Sequence, residues 1–222
     1  MLDVTLSSQL KSAVPDFKIG VMFYSSIVIG KLPALIGDRL PVYYNNVQMS
    51  FDTQPISAIS GIQEWRQIFK KVGTDPSRYR PSQEALLRKI KKDGTPHFVH
   101  SAVDLINFFS VQYSIPMGIY DAEQLDGAIQ VRIGTETDQY DGLNGRLMHM
   151  NQKIISADRN GAFGSPIVDS KRTCVTPQTT QALQLAYVRP SMDSGEAQRL
   201  IEKMAEMFTQ VHGGTYEWKL IQ

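Results

Sequence analysis

The sequence predicts an α+β fold built as one globule, and three observations predict it. Short runs rich in Val, Ile and aromatic residues alternate with helix-length amphipathic segments. The 222 residues are enough to bury a full core. No internal repeat, low-complexity stretch or linker divides the chain into independent domains. This pattern gives the class and leaves the topology open.

Phe17 to Phe51 is rich in Val, Ile, Tyr and Phe, with Gly20, Gly30 and Gly37 as punctuation, which predicts strands and turns. Within it, Ile19 to Gly37 is apolar but interrupted by Ser25, Ser26, Lys31 and Pro33, so it reads as core strand and not as a membrane span. From Ser60 the pattern turns helical. Ser60 and Gln63 have capping-box spacing, Ile62, Trp65, Phe69 and Val72 recur on one face, and Gly73 is placed to end the helix. Gly73 to Pro81 carries two prolines and two arginines and reads as an ordered loop before a second helix, Ser82 to Gly94.

His100 to Tyr113 is apolar almost all the way round. At about 100° per residue, Ala102, Val103, Leu105, Ile106, Phe109 and Tyr113 form a wide arc, and Ser101, Asp104 and Asn107 a narrow polar stripe. Phe108 and Val111 border that stripe, which a solvated face would not allow. Asp104 and Asn107 are therefore expected to be buried or to line a pocket, either bonding neighbouring backbone or reaching a ligand.

Ile115 to Tyr120 and Ala128 to Ile133 follow as short strands, and Thr135 to Gly145 as loops or a hairpin. Ile154 and Ile155 begin another strand, and Gly161 to Asp169 reads as a turn-rich loop. The clearest helix comes last. Asp193 and Glu196 have capping-box spacing, and Ala197, Leu200, Ile201, Met204 and Phe208 trace one face as far as Gly213. Tyr216, Trp218 and Leu220 then alternate with polar residues in a closing strand.

Composition narrows the function. A formal charge of +1 gives no global bias toward nucleic acid, so a phosphate partner requires a local patch. Between Arg66 and Lys92 nine basic residues face two acidic ones, Asp75 and Glu84, which leaves the rest of the chain net negative. Two solvated helix faces explain that excess equally well. The single cysteine, Cys174, excludes an internal disulfide framework and, with no signal peptide, favours the cytoplasm. Nucleophile elbows, P-loops and zinc-protease helices are missing, and His97, His100, His149 and His212 lack metal spacing. No metal and no cofactor are expected. One polar cluster remains, from Gly161, Ala162, Phe163, Gly164 and Ser165 to Asp169, Ser170, Lys171, Arg172 and Thr173. It is either a tight turn or a place where backbone approaches a ligand closely.

In order along the chain, residues 80–90 (RPSQEALLRKI), 103–121 (VDLINFFSVQYSIPMGIYD), 126–134 (DGAIQVRIG), 156–165 (SADRNGAFGS) and 169–179 (DSKRTCVTPQT) resemble the B3/B4 domain of the bacterial phenylalanyl-tRNA synthetase beta subunit, most of all its free-standing relatives. The likeness runs from about Trp65 to Pro190. It implies a single globule of mixed β-sheets with helices packed on one side. Residues 1–59 then form a strand-rich N-terminal part of that globule, and residues 60–222 the tRNA-editing domain.

In the synthetase this domain hydrolyses wrongly attached amino acids, notably tyrosine, from tRNA. The resemblance puts Asn107 at the pocket asparagine, with Asp104 holding the helix start or the asparagine itself. It puts Phe108, Gly118, Gly161, Ala162, Phe163 and Gly164 around the substrate. Arg78, Arg80, Arg88, Lys91 and Arg172 would meet the acceptor end of the tRNA. Such a site positions a water and needs no nucleophile or metal. Two departures count against tyrosine: where the synthetase has threonine beside the asparagine and histidine after the strand start, this chain has Ile106 and Gly118. The implied activity is a free-standing aminoacyl-tRNA deacylase without aminoacylation. The alternatives are a non-catalytic RNA-binding or amino-acid-binding module, and a structural domain whose basic helices meet a protein.

Overall fold

The structure is a computed structural model and describes residues 2–222. Its centre is an antiparallel sheet in the order β10 (Thr215–Ile221), β2 (Lys18–Ser25), β9 (Gln181–Val188) and β3 (Met117–Asp121). A second sheet runs β1 (Val4–Leu6), β4 (Ile129–Ile133), β7 (Ile154–Asp158) and β8 (Gly161–Gly164). Its β1–β4 pair is parallel and the others antiparallel, so this sheet is mixed, while the central one is antiparallel throughout. β5 (Gln139–Asp141) and β6 (Leu147–His149) form a separate hairpin that starts within the Thr135 to Gly145 segment, expected to be loops or a hairpin, and runs past its end.

Strand periodicity sorts the core into two layers. On β2 and β9, Met22, Tyr24, Ala182, Ala186 and Val188 face a cluster with α6 (Ser101–Tyr113) and α7 (Ser194–His212). The alternate residues Ile19, Val21, Leu183, Leu185 and Tyr187 face the second sheet, with α1 (Ser8–Ala13) and α4 (Ser60–Lys71) filling its flank around Leu10 and Trp65. A third cluster joins α3 (Arg39–Ser50) to α5 (Ser82–Asp93) through Leu40, Tyr44, Leu87 and Ile90.

The four later helices expected from pattern, α4 to α7, all form. Gly73 at φ +93° and Gly94 at φ +78° follow α4 and α5 in conformations that a side chain strains. Asp193 caps α7 by accepting from the backbone of Gly195 and Glu196. The capping box at Ser60 does not form, because Ile59 is the N-cap and no side chain closes that end.

Residues 34–50 overturn the strand expectation, for they fold as α2 (Ala34–Gly37) and α3. Aromatic and β-branched content is a weak strand signal, and the burial of Leu40 and Tyr44, four apart, is helical. Pro41 falls in the first turn of α3, where its missing N–H costs nothing. Gly161 to Gly164 likewise form a strand, because Arg159 and Asn160 make a two-residue hairpin turn and Gly161 adopts φ +108°. The pattern gave no sign of β1, α1 or β9. β9 is buried on both faces from Ala182 to Val188, so it has no polar alternation to read.

Candidate functional site

A cavity of about 700 Å³ opens beside the outer edge of β3, walled by α5, α6 and the segment from Ile167 to Pro177. Its volume is that of a small-molecule site. Most of its wall is aliphatic: Val103, Ile106, Met117, Ile119, Ile167 and Val175. Three polar side chains of the wall carry atoms that find no hydrogen-bond partner among the described residues: Ser82, whose Oγ is buried on α5, and two that project among the aliphatic groups.

The first is Asn107. His100 begins α6 by accepting from the Val103 backbone N–H at 3.4 Å, and Ser114 ends it in the left-handed region at φ 53°. On this helix Asn107 is half-buried, lines the cavity, and its amide makes no hydrogen bond among the described residues. Asp104, one turn earlier, is 5% exposed and accepts from the Val99 backbone N–H at 2.9 Å. Burial raises its pKa, opposed by that bond. Asp104 therefore fixes the helix start and does not reach the cavity.

The second is Asp169. Its Oδ1 accepts from the Tyr120 hydroxyl at 2.7 Å and from the Ser165 backbone N–H at 3.4 Å. Oδ2 makes no hydrogen bond among the described residues, and the carboxylate lines the cavity. Burial pushes this carboxyl up to about 7, against the pull of the Tyr120 and Ser165 bonds. The tyrosine is held by two glycines. A Cβ at Gly118 or at Gly164 would strike the Tyr120 hydroxyl, and one at Gly118 would also lie 2.8 Å from Asp169 Oδ2. Gly118 thus exchanges its own side chain for a carboxylate brought in from another segment.

Among the residues expected at the site, Asn107 and Gly118 line one cavity. Phe108 does not: it packs 5.0 Å from the Tyr43 ring, because one helical step turns it away from its neighbour. Gly161, Ala162, Phe163 and Gly164 do not line it either, since β8 places them behind Tyr120, with Phe163 edge-on to that ring at 4.8 Å. Arg78, Arg80 and Lys91 are exposed away from the cavity wall. Arg88 and Arg66 both bond the Glu84 carboxylate, which is fully buried. Arg172 is bonded through two nitrogens to Asp158, whose side chain is likewise buried, so that fork is already occupied. The cation that lines the cavity is Lys89 of α5.

Sequence reasoning placed Asp169 in a polar run without selecting it. The signal was Gly118 and Tyr120, two apart and so on one face of a strand, with an acid in a glycine-bordered loop. A serine–histidine pair also escaped it. Ser101 Oγ lies 2.8 Å from His212 Nε2, and His212 Nδ1 lies 2.8 Å from the Phe208 carbonyl, which assigns the proton to Nδ1. The spacing is that of a nucleophile and its base, but Ser101 is 2% and His212 3% exposed, and Ser101 Oγ also accepts from the Gly30 backbone N–H. The pair pins α6, α7 and the segment before α2 together. Among the described residues, no three His, Cys, Asp or Glu side chains are grouped to hold a metal, and no helix is long and apolar enough to cross a membrane.

The scaffold is α+β, and its aliphatic cavity presents an unpartnered amide and an unpartnered acid oxygen, the make-up of a small-molecule pocket. Residues 64–211 match the B3/4 domain, two thirds of the chain, and the chain belongs to that family. It is 25% identical over 215 residues to YhzB of Bacillus subtilis (strain 168), described as uncharacterized, and covers 97% of both chains. It is 28% identical over 87 residues to the phenylalanine–tRNA ligase beta subunit of Bartonella henselae, covering 38% of this chain and 11% of that subunit. The corresponding subunit of Nitrosococcus oceani is 30% identical over 98 residues, 12% of its length. Among solved structures, an N-terminal fragment of the phenylalanyl-tRNA synthetase beta subunit from Pyrococcus horikoshii superposes with a TM-score of 0.47 and 12% identity, covering 97% of this chain and 50% of that one.

Proposed function

We infer that the protein is a free-standing deacylase that hydrolyses the ester of mischarged tRNA, with the aminoacyl group in the cavity beside Asn107. The observation that carries this reading is the unpartnered Asn107 amide, set in an aliphatic cavity with Lys89 of α5 on its wall and with Lys91 and Lys92 exposed further along the same helix. Membership of the B3/4 domain family and partial likeness to phenylalanine–tRNA ligase beta subunits support a tRNA-linked substrate.

In the reaction, water attacks the ester carbonyl carbon, the bond to the ribose oxygen breaks, and that oxygen leaves with a proton. The Asn107 amide N–H groups can donate to the carbonyl oxygen as charge develops there. Aliphatic walls exclude other water and fix the acyl group. Lys89, Lys91 and Lys92, with Arg78 and Arg80, supply positive charge for the phosphates of the acceptor end. Residues 1–59 belong to the same working unit, since β2 lies between β10 and β9 at the centre of the sheet that carries β3.

The test is to incubate the pure protein with a panel of mischarged tRNAs and follow ester loss. The reading requires at least one tRNA to be deacylated faster than in buffer, and Asn107→Ala to lower that rate about 10²-fold or more. No acceleration on any member defeats it. One observation favours a non-catalytic module instead: Ile106 and Gly118 supply no polar side chain where the synthetase has threonine and histidine. Salt-dependent tRNA binding without turnover identifies that alternative.

A further inference from the structure

We propose that Asp169 makes the cavity a receptor for a primary ammonium group, and that the ligand it selects is an α-amino acid moiety with an aliphatic, non-hydroxylated side chain. The inference rests on the cavity being the aminoacyl site, and it specifies the class of amino acid held there.

Two observations carry the ammonium. Asp169 Oδ1 is fixed by the Tyr120 hydroxyl and the Ser165 N–H, so the carboxylate cannot swing, and Oδ2 is left at the cavity with no donor among the described residues. An ionised carboxylate offers only acceptors, so its complement is a cation that brings N–H groups. No cation among the described residues is paired with it. Lys89 and His100 line the same cavity, yet neither makes an ion pair or hydrogen bond with Asp169.

The aliphatic side chain follows from counting polar groups along the wall. Ser110 Oγ is spent on the Ile115 carbonyl at 2.8 Å. His100 Nδ1 accepts from Val103 N–H, and its Nε2 lies 3.3 Å from the Val175 carbonyl. Thr176 Oγ1 accepts from Gln178 N–H. Asn107, Asp169 and the Ser82 hydroxyl on α5 are then the groups of the wall left without a partner among the described residues, and an aminoacyl ester uses the first two, the ammonium at Asp169 and the carbonyl at Asn107. A phenol or hydroxyl on a side chain that lies against Val103, Ile106, Met117 and Ile119 would be buried without a partner, which costs binding. The remaining groups that face Asp169 are neutral near pH 7: Tyr120 on β3, Tyr187 on β9 and Tyr140 on β5, all with raised pKa values, largely through burial.

L-leucinamide tests this without an ester to hydrolyse. Titrated calorimetrically at pH 7.5 into the whole protein, it is expected to bind about tenfold or more tightly than 4-methylpentanamide, which lacks the amine. It is also expected to outbind L-tyrosinamide. Asp169→Asn should remove the preference for the amine. Equal binding with and without the amine, or an undiminished preference in Asp169→Asn, overturns the inference. Carbon NMR of the Asp169 carboxyl gives a reading that needs no variant: saturating leucinamide must lower its titration midpoint, and an unmoved midpoint counts against the proposal. Leucinamide held through Asp169 while every mischarged tRNA stays intact would keep this inference and remove the deacylase. Ester hydrolysis undisturbed in Asp169→Asn would do the reverse.

Discussion

The Tyr120 hydroxyl donates to Asp169 at 2.7 Å from a position where neither Gly118 nor Gly164 leaves room for a Cβ. That hydrogen bond ties the sheet edge to the loop after β8 and turns an acid toward an aliphatic cavity. A carboxyl held near 7 in the fold and near 3.9 in the unfolded chain binds more protons when folded. Its folded form is therefore favoured at acid pH and loses stability as pH rises from about 4 through about 7. Asp169→Asn keeps the acceptor for Tyr120 and removes the charge. Urea unfolding at pH 5 and pH 8 should show the variant gaining roughly 1–3 kcal/mol on the parent between those values. A parent and variant that stay parallel across that range would show that the carboxyl is not buried as described.

Gly118→Ala places a methyl group against the Tyr120 hydroxyl and 2.8 Å from Asp169 Oδ2. Both must move, so we expect a loss of about 1–3 kcal/mol in stability and displacement of Asp169 from the cavity. Chemical denaturation gives the first quantity, and loss of leucinamide binding gives the second. Full stability together with full binding contradicts the packing around Tyr120.

His212 responds to pH in the opposite sense. Burial lowers its pKa, the Phe208 carbonyl opposes the shift and His100 adds to it. Its contribution is present above about 6.5 and is lost as pH falls through its lower folded value, because the unfolded chain then takes up the proton first. Between pH 7.5 and 5 the parent should lose stability relative to His212→Gln, read by urea unfolding at the two pH values. Comparing the two variants at each pH separates this change from that of Asp169. If His212→Gln tracks the parent over this interval, the Ser101–His212 pair carries no such linkage.

Glu84 is a buried carboxylate between Arg66 and Arg88. Burial pushes its pKa up, but the two arginine bonds outweigh that and hold it below the usual range. Its contribution is present above about 4.3 and lost as pH falls through its lower folded value. Glu84→Gln should cost roughly 1–3 kcal/mol at pH 7, read by thermal or chemical unfolding. The same variant frees Arg88 for phosphate, so tRNA affinity at low salt should not fall with it. A fall would mean that Glu84 positions the basic face and does more than neutralise it.

Reversing Lys89, Lys91 and Lys92 to Glu tests whether α5 meets the acceptor end. Measured across salt concentrations, the slope of log affinity against log salt should shrink by about one for each phosphate that these lysines no longer neutralise. An unchanged slope would put the phosphate-binding surface elsewhere on the molecule.

Helix content from Ser60 onward was legible because each face showed in its spacing, and Asp193 announced the start of α7. The polar stripe on α6 was legible for the same reason, and it led to Asn107. Asp169 was not, because its importance comes from Tyr120, 49 residues away, and from two glycines whose missing side chains make room for that ring. No local pattern encodes such a long-range bond. α3 was misread because Tyr43, Tyr44 and Val47 suit a strand as well as a helix, and only packing on α5 decides between them. Arg172 looked like a free cation until Asp158, fourteen positions earlier, was brought against it by the β7–β8 hairpin.

The most direct test of the account is a crystal structure of the protein with 3′-leucylamino-3′-deoxyadenosine, a stable stand-in for the end of a charged tRNA. The amine is predicted within hydrogen-bond distance of Asp169 Oδ2 and the acyl oxygen within that of the Asn107 amide, with the leucyl chain against Ile106 and Ile119. The analogue bound elsewhere, or the cavity left unoccupied at a concentration that protects the protein against unfolding, would contradict it.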